Sequence, residues 1–225
     1  MDALLQFWQQ LSSTAQSSAH GMDMAQLLAL AGVLGWASGL RLYAVVFMTG
    51  LAGWLGGLPL PPGLSVLQHP AVLFGSGFML FIEFFADKIP GLDSLWDLVH
   101  SVIRVPGGAA LAAGVFGADN ATMGLVAGLL GGSLAATSYA TKVSVRAAVN
   151  TSPEPFSNIL VSLFEDGLVV GGLWLATQHP LAFGIALAIV IVISLCLLVV
   201  LMKFFKALLR RISAWFGGTQ LTQLR

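Results

Sequence analysis

The sequence predicts an all-α, polytopic membrane protein of about six transmembrane helices, and three observations carry that reading. Of 225 residues, 57% are hydrophobic and 9% charged, against roughly a quarter charged in an ordinary soluble domain. Apolar windows of about 20 residues, the length that crosses a bilayer as a helix, recur along the chain. The connections near 58–69, 118–120 and 178–179 hold no Lys or Arg, which is the charge asymmetry of a protein with a defined orientation.

The elements follow in order. Residues 1–22 lack the basic start and long apolar stretch of a signal peptide. Leu4, Leu5, Phe7, Trp8 and Leu11 fall on one side of a helix, so this segment reads as an amphipathic helix lying at the interface. The first crossing, 24–57, is too long for one upright helix and must be tilted or broken. The second is 70–87. The third is built on 105–117, "VPGGAALAAGVFG", whose 13 residues are too few to cross unless the helix begins near Leu98. That start places His100 and Arg104 inside the bilayer and puts Pro106, a kink former, within the helix.

Crossings four to six are 121–142, 156–177 and 180–202. Thr151 or Ser152 would cap the fifth, and the last, lacking any polar face, reads as a lipid-facing peripheral helix. With six crossings, Lys88, Lys142, Arg146, Lys203, Lys206, Arg210, Arg211 and Arg225 all fall on one side. The positive-inside rule makes that side the cytoplasm. Both termini are then expected in the cytoplasm, with the protein multi-pass in the inner membrane. The organisation is two three-helix halves, 23–117 and 118–212, followed by a tail over 213–225.

The halves echo one another. "AGVLGWA" at 31–37 returns as "AGLLGGS" at 127–133, 96 residues later, and "LFIE" ending at Glu83 as "SLFE" ending at Glu165. Three crossings per half would make the repeats inverted. Glycines at steps of four suit tight helix packing and offer a face for a homo-oligomer.

The polar residues form stripes. Asp93, Asp97, His100 and Arg104 share one helix face, and Glu83 and Asp87 lie one turn apart. Ser138, Lys142, Arg146 and Asn150 form a third stripe, and Asn158, Ser162 and Glu165, with Asp166 beside them, a fourth. Arg41, Glu165 and Asp166 fall near mid-membrane, where a charge costs at least about 2.5–3.5 kcal/mol and requires a partner. Arg41 is therefore expected to pair with Glu165 or Asp166. Glu83, Asp87, Asp93, Asp97 and Arg146 sit nearer the cytoplasmic helix ends, where a charge is cheap.

At "EFFADKIPGLDSLWDLVHSVIRVPGGAALAAG" the chain resembles a bacterial membrane-protein family catalogued as domain of unknown function 4126. The matching positions are Glu83, Ile89, Pro90, Gly91, Asp93 and Asp97. "SGLR" at 38–41 and the Gly/Ala-rich fourth span extend the resemblance over nearly the whole chain after residue 24. The basic stretch 138–158 reads as a subgroup feature. The resemblance implies a membrane protein and no activity.

Function must come from the residues. The leading expectation is a small transporter or channel whose site comprises Arg41, Glu83, Asp87, Asp93, Asp97, His100, Arg104, Ser138, Lys142, Arg146, Asn158, Glu165 and Asp166, and whose cargo is a small ion, solute or lipid. A second reading is a membrane-embedded enzyme acting on lipid phosphates, with Asp93, Asp97 and His100 holding a divalent metal and Arg104, Lys142 and Arg146 binding phosphate. No activated Ser or Cys stands beside a base, so an enzyme is the less favoured reading. A third is a non-transporting scaffold. The single cysteine, Cys196, makes no intramolecular disulfide. No cofactor and no nucleic-acid partner is expected, and the lipid bilayer is the one sure partner.

Overall fold

The computed structural model describes residues 22–89, 91–118, 120–150 and 155–217. The described residues form helices and no strand: α1 (Met24–Trp54), a short 3-10 helix (Pro62–Gln68), α2 (Pro70–Ala86), α3 (Leu92–Phe116), α4 (Ala121–Val149), α5 (Pro155–Gln178) and α6 (Pro180–Gly217). The expected interfacial helix, except Met22, the expected caps Thr151 and Ser152, and the tail beyond 217 lie outside the described residues.

Five helices are long and apolar enough to cross a membrane, and six if the 3-10 helix and α2, bent by 67° against each other, count as one span. The protein is a helical, polytopic membrane protein. Local chemistry sets the starts. Asp23 and Gln26 form a reciprocal capping box at α1, and the Asn120 side chain accepts from Met123 N at 3.0 Å at α4. At α2, His69 Nδ1 accepts from Ala71 N at 3.2 Å, with Pro70 in the first turn. Gly91 takes φ 86° just before α3, a left-handed conformation that glycine adopts without penalty. Helix α3 runs on through Pro106 from Leu92 to Phe116, with the expected crossing stretch from Leu98 inside it.

The core is an apolar cluster around α1, with α3, α4 and α5 against it. Glycines bring three backbones together at its centre. A Cβ placed on Gly35 of α1 would lie 2.6 Å from Gly131 Cα of α4, and one on Gly108 of α3 would lie 3.0 Å from Gly35 O.

Helix α1 is broken. Arg41, at φ −148° and ψ 85°, is extended backbone inside an otherwise helical run. The packing shows where each half goes. Before the break, Leu28 and Ala31 lie with Phe116 and Met123, beside the α3–α4 turn. After it, Phe47 meets Gly77, Gly50 meets Leu73, and Gly53 meets Leu60. The 3-10 helix that follows packs Gly63 onto the Gly114 backbone, again near the end of α3. Both ends of α1 therefore lie at the same end of the bundle, with Arg41 at the tip between them. Of the tilt or break expected of segment 24–57, the break is what is found, with both halves running to the same end of the bundle.

The same contacts bear on the internal echo. Gly35 and Gly131, corresponding positions of the 96-residue repeat, do touch. Their helices run in the same direction, however, with Leu28 near Met123 and Leu40 near Lys142, whereas an inverted pair runs in opposite directions. The turn-back at Arg41 changes the parity on which the inversion was expected.

Candidate functional site: a buried ion network at a helix break

A helix that stops leaves its last carbonyls without amide partners and with partial negative charge. Cations occupy those of α1. Arg104 Nη1 donates to Leu40 O at 2.9 Å and stands 3.5 Å from Gly39 O, and Lys142 Nζ donates to Leu40 O at 3.0 Å. One turn back, Ser138 Oγ donates to Trp36 O at 2.6 Å. The break is thus held by side chains from α3 and α4.

Arg41, at the tip, points among carboxylates. Its Nε is 2.7 Å from Asp166 Oδ1 and its Nη2 is 3.0 Å from Asp87 Oδ2, while Nη2 also donates to Ser162 Oγ at 2.8 Å. Of the two expected partners it meets Asp166, and Asp87 joins from α2. Glu165 belongs to Arg146, which grips it with Nη2 at 2.8 Å and Nε at 3.4 Å. Arg146 Nη1 also donates to Asp87 O at 2.7 Å and reaches Asn158 Oδ1 at 3.2 Å and Asp93 Oδ2 at 3.3 Å. Arg104 Nη2 lies 2.7 Å from Glu83 Oε1 and 2.8 Å from Asp97 Oδ1. Asp87 Oδ2 is the hub, facing Arg41 at 3.0 Å, Arg146 at 3.2 Å and Lys142 at 3.3 Å.

Deep and interfacial charges were expected to separate by depth, and they form one network instead. The cause is the turn-back of α1, which brings Arg41 level with the end of α2. Every member is at most 5% exposed except Asp166, whose side chain is 27% exposed.

His100 stands apart. Its ring stacks on Trp96 at 4.0 Å and meets Tyr43 edge-on at 5.6 Å, with Nδ1 2.9 Å from Trp96 O. Asp93 turns instead to Arg146 and to Asn150 Nδ2 at 3.1 Å, and Asp97 to Arg104 and Lys142. Among the described residues no three His, Cys, Asp or Glu side chains are placed to hold a metal ion, so the proposed Asp93–Asp97–His100 centre is not assembled.

Further participants are Ser162, Asn150 and Tyr139, whose hydroxyl donates to Asp97 O at 3.2 Å. Ser162 and Asn150 were visible on the polar stripes. The Leu40 and Gly39 carbonyls had no signal, because no proline marks the break.

Two openings flank the network. A groove of about 660 Å³ between α1, α2 and α5 is lined by Met48, Phe81, Phe84 and Phe85, with Asp166 its one charged side chain. A second, of about 290 Å³ between α1, α4, α5 and α6, reaches Ser138, Lys142 and Glu165 beside Trp36 and Phe164. Successive helical residues point about 100° apart, so Glu165 and Asp166 face different openings.

No curated protein and no solved structure matches the chain. A family model described as a domain of unknown function, DUF4126, matches residues 28–201. That span holds the break in α1, the two flanking openings and the whole ion network, and the chain belongs to the DUF4126 family.

Proposed function

We propose that the protein is a small membrane transporter or channel that handles a polar solute at the tip of α1. One observation carries this reading: a broken helix presents Arg41 and its last two carbonyls, which Arg104 and Lys142 engage, to a buried ion network lying between two separate openings. Broken helices whose ends meet ions are a recurrent way of building a transport site. Fold stability alone does not call for such a network, since a buried ion pair is often no better than apolar residues of the same volume. The lipid-phosphate enzyme reading loses its basis, because Arg104, Lys142 and Arg146 are already engaged by carboxylates.

The packing of α1 supports a membrane orientation different from the one expected from the sequence. Helix α1 enters and leaves from one side, and α2 to α6 cross. Residue 23 then lies on the side of the 118–120 and 178–179 connections, opposite Lys88, Lys203, Lys206 and Arg210. Residues 1–40 contain no Lys or Arg, which suits the non-cytoplasmic side. In a Cys196→Ser background, Asp23→Cys, Ala118→Cys and His179→Cys should label from outside, and Lys88→Cys and Lys206→Cys from the cytoplasm. Labelling of position 23 together with position 206 would overturn the re-entrant α1.

The functional test is flux in proteoliposomes, with gradients of protons, alkali cations, chloride and phosphate imposed in turn. Wild-type protein should dissipate at least one gradient, and Arg41→Ala and Glu165→Gln should abolish that flux. A flux that survives both substitutions, or none for the folded wild type, would remove the transport reading in favour of a scaffold.

A further inference from the structure

The network is not charge-balanced. Its cations are Arg41, Arg104, Lys142 and Arg146, and its carboxylates are Glu83, Asp87, Asp93, Asp97, Glu165 and Asp166. Acids therefore outnumber bases by two. Lys88, half-buried with its Nζ 3.0 Å over the Phe84 ring and acting electrostatically on Asp166, offsets one of these and leaves one acid in excess. Arginine keeps its charge in proteins. Lys142 Nζ stands 3.2 to 3.4 Å from three carboxylates. An uncompensated carboxylate in a dry interior is costly and the ordinary escape is to take up a proton.

The geometry indicates where that proton sits. Asp87 faces three cations and Glu165 is gripped by Arg146. Asp166 is partly exposed. Asp93 has Arg146, Asn150 and the Gly91 amide, which donates to Oδ1 at 2.8 Å. Glu83 and Asp97 remain; their carboxylates converge on Arg104 Nη2, and Asp97 shares Lys142 Nζ, at 3.2 Å, with Asp87 and Glu165. Glu83 is 0% exposed and Asp97 2%, and Glu83 Oε2 and Asp97 Oδ2 each lack any hydrogen-bond partner. Two buried carboxylates this close do not both ionise readily. The other groups acting on Glu83 are Arg41 and Tyr43 from α1, Lys142 from α4 and Asp87 at the end of its own helix.

We propose that the Glu83–Asp97 pair holds a transferable proton, making H⁺ an ion that the site binds. In the loaded state an O–H bond forms at Glu83 Oε2 with a proton delivered by hydronium, which is left as water, and one negative charge of the network disappears. The inference deepens the transport reading by naming its coupling ion, and its test is independent of flux.

That test is a pH titration of the full-length protein in lipid nanodiscs, followed by infrared difference spectroscopy of the carboxylic-acid C=O stretch. Wild type should show a protonated carboxyl band at neutral pH that is lost as pH rises. Glu83→Gln should remove the band, Asp97→Asn should shift or weaken it, and Asp23→Asn, at the exposed cap of α1, should leave it unchanged. Glutamine mimics the protonated acid, so Glu83→Gln should also keep the wild-type melting temperature at neutral pH. A band that is absent, or that survives both Glu83→Gln and Asp97→Asn, overturns the proposal, as does a large drop in melting temperature for Glu83→Gln with Asp97→Asn normal. A band assigned to Glu83 in a protein without flux upholds the proton site and removes the transport reading instead.

Discussion

Helices α1 and α6 are both long and apolar, yet 78% of the most apolar stretch of α1 is buried in the bundle and 6% of that of α6. Hydropathy alone does not separate them. Lipid chains are as apolar as leucine, so burial against protein in a membrane is decided by close backbone approach and by polar partners. Helix α1 has both. Gly35, Gly39, Gly50 and Gly53 each meet another segment, and Ser38, Arg41 and Thr49 are buried with it. Helix α6 has Gly184, which meets nothing within 4 Å, and a run of exposed Ile, Leu and Val. One helix is the axis of the molecule and the other is a wall beside it.

Substitutions can break or sharpen this contrast. The largest effect is expected at the network that α1 caps. Arg146→Ala leaves Glu165 and Asp93 without their guanidinium and should cost about 3–5 kcal/mol, read as unfolding in detergent by circular dichroism. Next, Gly39→Ala drives a methyl group into Ala135 O and Ser138 Oγ and should cost about 1–3 kcal/mol, while Gly184→Ala should be nearly silent. Equal losses at the two glycines would dissolve the distinction between axis and wall.

A double-mutant cycle tests the tip of α1. Arg41→Ala with Asp166→Asn should show a coupling of about 0.5–3 kcal/mol, and Arg41→Ala with Glu165→Gln a smaller one. The reverse order would move Arg41 back to the other carboxylate. The smallest effect is expected on the wall: Ile189→Ala, at a 55% exposed position, should stay within about 0.5 kcal/mol of wild type.

Much of the architecture was legible because a bilayer imposes length and apolarity on each span. The elements α2 and α4 to α6 and the lipid-facing character of α6 follow from that constraint. The polar stripes were legible too, since a period of 3.6 residues puts 93, 97 and 104, or 138, 142 and 146, on one face. The turn-back of α1 was not. "SGLRLY" carries neither proline nor a charge pattern that distinguishes a break from a tilt, and the break is stabilised by Arg104, Ser138 and Lys142, far away in sequence. The grouping of charges failed for the same reason, because depth was counted along a straight α1. His100 misled because it shares a face with Asp97 and Arg104, while its neighbour Trp96 holds its ring outside the network.

The position of Arg41 also constrains how the chain is made. This guanidinium is made before its partners: Asp87 follows with α2, but Ser162 lies 121 residues later, with Asp166 beyond that. Until α5 is synthesised, the tip of α1 has no complete set of partners, and an incompletely paired cation settles poorly in hydrocarbon. Helix α1 therefore gains its full set of partners only after α5 has been made. It must wait at the interface or inside the insertion machinery, and a nascent chain halted before residue 155 would carry Arg41, Lys142 and Arg146 with neither Glu165 nor Asp166 to neutralise them.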